Sequence, residues 1–194
     1  MSIQKTNTQE KNTPKNNTQE ELNEYFNKVW EPSPIDEWEY SGLSLLRKIA
    51  PHKTVIDVGC GDNLFKDKIP NLLGIDPAND AADIKINIEE FEPDNKYDVA
   101  LCLGSINFGD VTKITNQISK VISILNDTSR IYWRCNPGHH DHDNQECSQI
   151  SFFPWNEEWM EYFADMFNYK INFMTYENHK TLNKQRLYSE WIRR

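Results

Sequence analysis

The stretch Val55-Ile56-Asp57-Val58-Gly59-Cys60-Gly61-Asp62-Asn63 constrains the fold of this chain more than any other. Three of its first four residues are apolar, which suits a buried parallel strand, and the run then breaks into a glycine-rich turn. An acid, Asp57, stands two residues before the first glycine. Nineteen residues after Asp57, a second apolar run, Leu72-Leu73-Gly74-Ile75, ends in Asp76. A strand, a glycine turn and a later strand-end carboxylate make a nucleoside pocket. The glycines let backbone approach the ligand, and Asp76 is placed to accept both ribose hydroxyls.

The rest of the chain supplies the frame such a pocket needs. Strands are expected over 54–58, 72–75, 83–86, 97–103 and 130–135. A helix is expected over 111–125, where Val111, Ile114, Ile118, Val121, Ile122 and Leu125 recur at helical spacing. A second begins after Asn156, a good N-cap followed by Glu157 and Glu158, with Trp159, Met160, Phe163, Met166 and Phe167 on its apolar face. Segments 169–176 and 186–193, separated by polar residues, read as a closing antiparallel pair. The connections 62–71 and 77–82 are too short for full crossover helices, so the alternating pattern is a trimmed one.

Three regions follow: a tail over 1–21, a helical cap over 22–52 and the sheet domain over 53–194. The tail is rich in Asn, Gln, Thr and Lys and cannot offset its ordering entropy, so it is expected to be unstructured. In the cap, Ser33-Pro34 suits a helix start, with Leu43, Leu45, Leu46 and Ile49 as its buried face. Trp30, Trp38 and Tyr40 are core residues there, or line a substrate mouth.

The net charge of −9 argues against a protein that grips nucleic acid by neutralising phosphates, leaving only a local basic patch as a route to it. No apolar run approaches the roughly 18 residues that span a bilayer. The polar N-terminus shows no export signal, and the four cysteines have no regular spacing, so they read as reduced thiols in a cytoplasmic protein. Two other glycine-turn chemistries fit poorly. A dinucleotide fold needs a third glycine where Leu64 stands, and a phosphate-binding P-loop needs a Gly-Lys-Ser/Thr that is absent. A tight turn with no ligand at all is the remaining structural alternative.

Taken in order, these motifs resemble the class I S-adenosylmethionine-dependent methyltransferases from about Lys53 to Arg194. Asp57-Val58-Gly59-Cys60-Gly61-Asp62-Asn63 resembles the family's acid-x-Gly-x-Gly-x-Gly, with Asn63 in the last glycine's place, a mild change because Asn tolerates left-handed backbone. Asp76 and Pro77 resemble the ribose-binding acid and its follower. Asn87 and Ile88 fall where the family places its adenine contacts. Leu103 and Gly104 end the strand that faces the methionine part. The resemblance implies an α/β fold: a Rossmann-like, seven-stranded, mostly parallel sheet with helices on both faces and a terminal antiparallel pair. It implies S-adenosyl-L-methionine as cofactor, held by Asp57, Gly59, Gly61, Asn63, Asp76, Pro77, Asn87, Ile88, Leu103 and Gly104. Asp57 would steer the ligand's amino group, directly or through water.

Methyl transfer from a sulfonium is an in-line displacement in which the protein supplies alignment and excludes water. A base is needed only where the acceptor holds its proton tightly. The Asn/Asp-Pro-Pro-Tyr/Phe of many amino-group methyltransferases is replaced here by Leu103-Gly104-Ser105-Ile106-Asn107-Phe108, which disfavours that subclass. Ser105 and Asn107 would touch the methionine end or the acceptor, or serve only as turn residues. Three of the chain's five histidines, His139, His140 and His142, lie in one loop between Cys135 and Cys147. Three readings of it stay open. His139 or His140 is a general base, since imidazole titrates near neutrality. Cys135, Cys147 and a histidine hold a metal such as zinc, although the spacing fits no standard template. Or the loop is solvated and inert, and no metal is bound. The expected activity is methyl transfer to a small-molecule acceptor, without membrane or nucleic acid. The alternatives are a protein or RNA methyltransferase within a complex, and a non-catalytic S-adenosylmethionine-binding module.

Overall fold

The computed structural model describes residues 16–138 and 150–194. Six strands form one sheet: β1 (Val55–Val58), β2 (Leu72–Ile75), β3 (Tyr97–Leu103), β4 (Leu125–Cys135), β5 (Tyr169–Asn178) and β6 (Gln185–Arg193). Their order is β2-β1-β3-β4-β6-β5. β2, β1, β3 and β4 are mutually parallel, and β6 runs antiparallel to both β4 and β5. The helices are α1 (Gln19–Lys28), α2 (Leu45–Lys48), α3 (Val111–Ser123) and α4 (Glu157–Met166).

The seventh strand expected over 83–86 does not form. Residues 77–82 are too few to carry the chain back along the length of β2, so the returning segment can meet only its carboxyl end. It does so through one parallel bridge, Ile75 to Ile84, with Asp76 N–H donating to Ile84 and Ile86 N–H donating to Asp76. The result is an edge stub rather than a strand.

Residues alternate between the two faces of the sheet, as the pleat requires. Ile56, Val58, Ala100, Cys102, Ile131, Trp133, Leu187 and Trp191 pack on one face against Ile114, Ile118 and Val121 of α3 and Met160 and Phe163 of α4. Val55, Val99, Leu101, Tyr132 and Tyr188 pack on the other against Leu45, Ile49, Phe65 and Ile69. Among the described residues, full-length helices therefore cover one face only. The second carries the single-turn α2 and the turns after β1, because the β1–β2 connection that packs there is too short for a full helix. The closing pair forms as expected, although β5 and β6 extend to Asn178 and Gln185.

The cap differs from its expectation. Pro34 starts no long helix: only Leu45–Lys48 is helical, Leu45 and Ile49 are buried, and Leu43 is 41% exposed. Order also reaches further towards the N-terminus than the expected tail boundary. α1 begins at Gln19, fixed by a capping box in which Glu21 N–H donates to Thr18 Oγ1 (3.1 Å) and Thr18 N–H donates to Glu21 Oε2 (2.8 Å). Its Leu22 and Tyr25 pack against Phe108, Ile150 and Phe152, which seats α1 across the carboxyl end of the sheet. No helix among the described residues is long and apolar enough to cross a membrane.

Candidate functional site

The chain runs outward from β1 to β2 and then returns to β3 on the other side of β1. Strand order reverses there, and a crevice opens at the carboxyl ends of the strands. The loops after β1 and β3 meet in it: a Cβ built on Gly59 would lie 2.4 Å from Ser105 Cβ. Gly59 has φ +66° and Gly61 φ +53°, so both the local conformation and the space demand glycine.

Asp76 ties this turn to β2. Its Oδ2 accepts from Gly61 N–H (3.0 Å), and its Oδ1 accepts from Ala78 N–H (2.8 Å) and Asn79 N–H (2.9 Å). Three of roughly four carboxylate lone-pair positions are thus taken by backbone. The remaining one, on Oδ2, leaves room for a single hydroxyl where the sequence suggested two. Asp76 and its neighbour Pro77 both line the cleft.

Beyond Asp76, Asn87 and Ile88 line the next part of the wall. Asn87 caps the short turn Ile88–Glu90 by accepting from Glu89 N–H (3.0 Å), and its amide donates to Gln19 of α1 (2.7 Å). Gln117 of α3 reaches the same wall, and its buried Oε1 has no hydrogen-bond partner. At the end of β3, Leu103, Gly104 and Ser105 line the cleft floor, and Ser105 Oγ is likewise buried without a partner. Buried acceptors left unpaired cost stability, so two such groups converging on one cleft mark a surface built to meet a polar ligand.

The far side of the cleft is cationic and aromatic. Arg134, at the end of β4, donates to Leu103 O (2.7 Å) and to Ser41 Oγ (3.4 Å). Arg134 and Arg186 both lie against the ring of Trp38, their guanidinium carbons 5.2 and 5.3 Å from its centroid. Burial brings the Arg134 pKa down to about 10, against the opposing pull of Glu177. Trp38 is fixed by a backbone bridge to His179 and an edge-on ring contact at 4.9 Å. His179 Nδ1 accepts from Thr181 and Leu182 N–H (3.3 and 3.1 Å), so its proton sits on Nε2, which donates to Ser33 Oγ (3.1 Å). Burial lowers the His179 pKa and keeps it neutral. His179 therefore orients Ser33, which lines the cleft, and is not a base for it. Trp30 roofs the glycine turn, 2.9 Å from the Cβ that Gly61 lacks.

Eight of the ten residues expected to hold a cofactor thus line one cleft: Gly59, Gly61, Asp76, Pro77, Asn87, Ile88, Leu103 and Gly104. Two stand behind it. Asp57 is buried beneath the turn rather than in the wall, and burial, against the pull of Arg134, raises its pKa to about 7. Asn63 adopts φ +54°, as its place in the motif suggested, but its side chain packs on Gly74 and donates to Ala81 O and Asp83 Oδ2 (both 3.2 Å). It braces the turn against β2. Asn107 is also structural: its buried Oδ1 accepts from Asn136 N–H (3.0 Å). His139, His140, His142 and Cys147 lie outside the described residues. Cys135 is buried in the core, which pushes its thiol pKa up, and no group of three metal-ligating side chains occurs among the described residues. Sequence reasoning missed Arg134, Arg186, Lys184, Gln19 and Gln117. Strand alternation could have placed Arg134 on the face of Tyr132; nothing local marked the other four.

No protein-family model and no curated protein sequence matches the chain. Solved structures do. The chain is similar to a 1,6-didemethyltoxoflavin-N1-methyltransferase of Burkholderia thailandensis with bound S-adenosylhomocysteine, at 10% identity and TM-score 0.60, covering 73% of this chain and 71% of that one. It is similar to magnesium protoporphyrin IX methyltransferase of Synechocystis with bound S-adenosylmethionine, at 13% identity and TM-score 0.60, covering 90% and 80%. It is similar to an S-adenosylmethionine-dependent methyltransferase of Methanosarcina mazei, at 12% identity and TM-score 0.60, covering 78% and 97%. The fold is that of class I methyltransferases, with six strands in the sheet among the described residues.

Proposed function

We propose that this chain is an S-adenosylmethionine-dependent methyltransferase acting on a small-molecule acceptor. One observation carries the reading: at the point where strand order reverses, the glycine turn, the last open lone pair of Asp76 and the orphaned oxygens of Ser105 and Gln117 face a single cleft. The fold shared with cofactor-bound methyltransferases supports it.

The residues fit the cofactor in sequence along the sheet. Asp76 Oδ2 takes one ribose hydroxyl. Asn87 and Ile88 flank the adenine, with Gln117 Oε1 placed to accept from its amino group. Gly59 and Gly61 let the tail pass close to backbone, and Gly104 and Ser105 receive its methionine end. When bound, S-adenosylmethionine supplies an electrophilic methyl group on a sulfonium. The chain's own work is to align the acceptor along the line of displacement and to keep water out, and Trp30, Phe26 and Phe108 form the apolar cover that does so. For an acceptor that holds its proton tightly, the proposed base is His139 or His140, both outside the described residues. The irregular spacing of the four cysteines, which suits reduced thiols, supports a cytoplasmic setting.

Calorimetric titration of the full chain with S-adenosylhomocysteine and with NAD tests the reading. Binding of the first alone is expected. Binding of NAD alone, or of neither, overturns it. Methyl transfer to no acceptor despite tight binding would favour a non-catalytic module.

A further inference from the structure

Resting on that reading, we infer that the acceptor is an organic anion, a carboxylate or a phosphate ester on an apolar body, held by Arg134, Arg186 and Lys184. The position of these cations along the sheet carries the argument. Asp76 follows β2, the glycine turn follows β1 and Gly104 follows β3, so nucleoside and tail occupy the first three strand ends. The next two strands, β4 and β6, bring Arg134 and Arg186, and Lys184 immediately precedes β6. With strands about 4.8 Å apart, β4 lies about 14 Å and β6 about 19 Å from the strand that ends in Asp76. The cations belong to the acceptor end.

They are also poised for a ligand. A guanidinium has five N–H donors, and Arg134 spends two, on Leu103 O and Ser41 Oγ. It forms no ion pair among the described residues. The buried Glu177 faces it, but that carboxylate is occupied by Tyr40 N–H (2.9 Å), Ser41 N–H (3.0 Å) and the Ser41 hydroxyl. Glu177 also pairs in register with Arg186 across the β5–β6 ladder. Trp38 holds both forks in place, and a planar fork suits a carboxylate or phosphate better than a point charge does. In a chain with a net charge of −9, three cations lining one cleft stand against the trend of the whole surface.

The same chemistry has a second source, the carboxylate of the cofactor's own methionine tail, and the test separates the two. The full chain is saturated with S-adenosylhomocysteine and then titrated with benzoate, phenyl phosphate and, as the neutral isostere, benzamide. At least one anion is expected to bind roughly tenfold or more tightly than benzamide. Lys184→Gln, a partly exposed position that tolerates the change, and Arg186→Gln are each expected to abolish most of that preference. Their affinity for S-adenosylhomocysteine is expected to stay within about twofold of the parent. Equal binding of benzamide and the anions overturns the inference. So does a loss of S-adenosylhomocysteine affinity in Lys184→Gln matching its loss of anion affinity, since the cations would then serve the cofactor. If the parent chain does not bind S-adenosylhomocysteine at all, the proposed function itself fails, which is a distinct result.

Discussion

Replacing Gly59 by Ala should damage this protein more than the same change at Gly61, and the structure says why. Both residues have positive φ, so each alanine incurs the left-handed penalty of roughly 1–2 kcal/mol. The two differ in what the new methyl meets. At Gly59 it would lie 2.4 Å from Ser105 Cβ and 3.3 Å from Ser105 Cα, on a loop tied down by Trp155, whose indole N–H donates to Ile106 O (2.9 Å). At Gly61 it meets the edge of the Trp30 ring at 2.9 Å, the far end of a side chain rather than a Cβ fixed to its backbone. Overpacking a fixed site costs about 1–3 kcal/mol more, so Gly59→Ala should lose about 2–5 kcal/mol and Gly61→Ala about 1–2 kcal/mol. Urea denaturation of both variants measures this. Ser105→Gly removes the obstructing atom and should return roughly 1–3 kcal/mol to the Gly59→Ala chain while leaving its left-handed penalty in place. The double-mutant cycle should therefore show coupling well above the roughly 0.5 kcal/mol expected of independent sites. Equal losses at the two glycines, or additivity with Ser105→Gly, would mean that the loops after β1 and β3 do not meet as described.

Asp76→Asn puts an amide N–H₂ against a backbone N–H on one side or the other and removes the charge that faces the ribose. S-adenosylhomocysteine should bind roughly ten- to a hundredfold more weakly by calorimetry. Asp57 is protonated in the folded chain up to about pH 7 and in the unfolded chain only up to its ordinary 3.8, because burial disfavours the carboxylate. Its contribution is complete below the lower value and fades as pH rises to about 7. Stability relative to Asp57→Asn should fall across that window by on the order of 1–4 kcal/mol and then level, as read by denaturation at several pH values. Thr18→Ala breaks the capping box of α1 and should cost about 1 kcal/mol there, seen as roughly fivefold faster amide exchange in α1.

What the sequence made legible was what local pattern controls. β2 and β3 begin and end where their apolar runs do, Asn156 caps α4 through Trp159 N–H (2.8 Å), and Asp76 stands where a strand-end carboxylate should. What it hid depends on long-range geometry. The run 83–86 has strand-like residues but too short a tether to lie along β2. Leu43, Leu45, Leu46 and Ile49 have helical spacing, but Leu43 stays exposed while Leu45, Leu46 and Ile49 pack with Phe65 and Ile69 after a single turn. Thr18 and Glu21 sit in a polar stretch whose composition argues for disorder, and the reciprocal cap outweighs it. Asn63 belongs to the motif yet braces the turn from behind, and Asp57 is buried beneath it. The cationic wall escaped notice because Arg134 on β4 lies far in sequence from Lys184 and Arg186 at the start of β6, and only the sheet order brings them together. Trp38 joins them through its bridge to His179.

A crystal structure of the chain with S-adenosylhomocysteine tests the central claim most directly. The account expects a ribose hydroxyl within hydrogen-bond distance of Asp76 Oδ2, the adenine beside Ile88 and the amino-acid tail over Gly59 and Gly104. A nucleoside bound elsewhere, with the Asp76 carboxylate still engaged only by Gly61, Ala78 and Asn79, would contradict it.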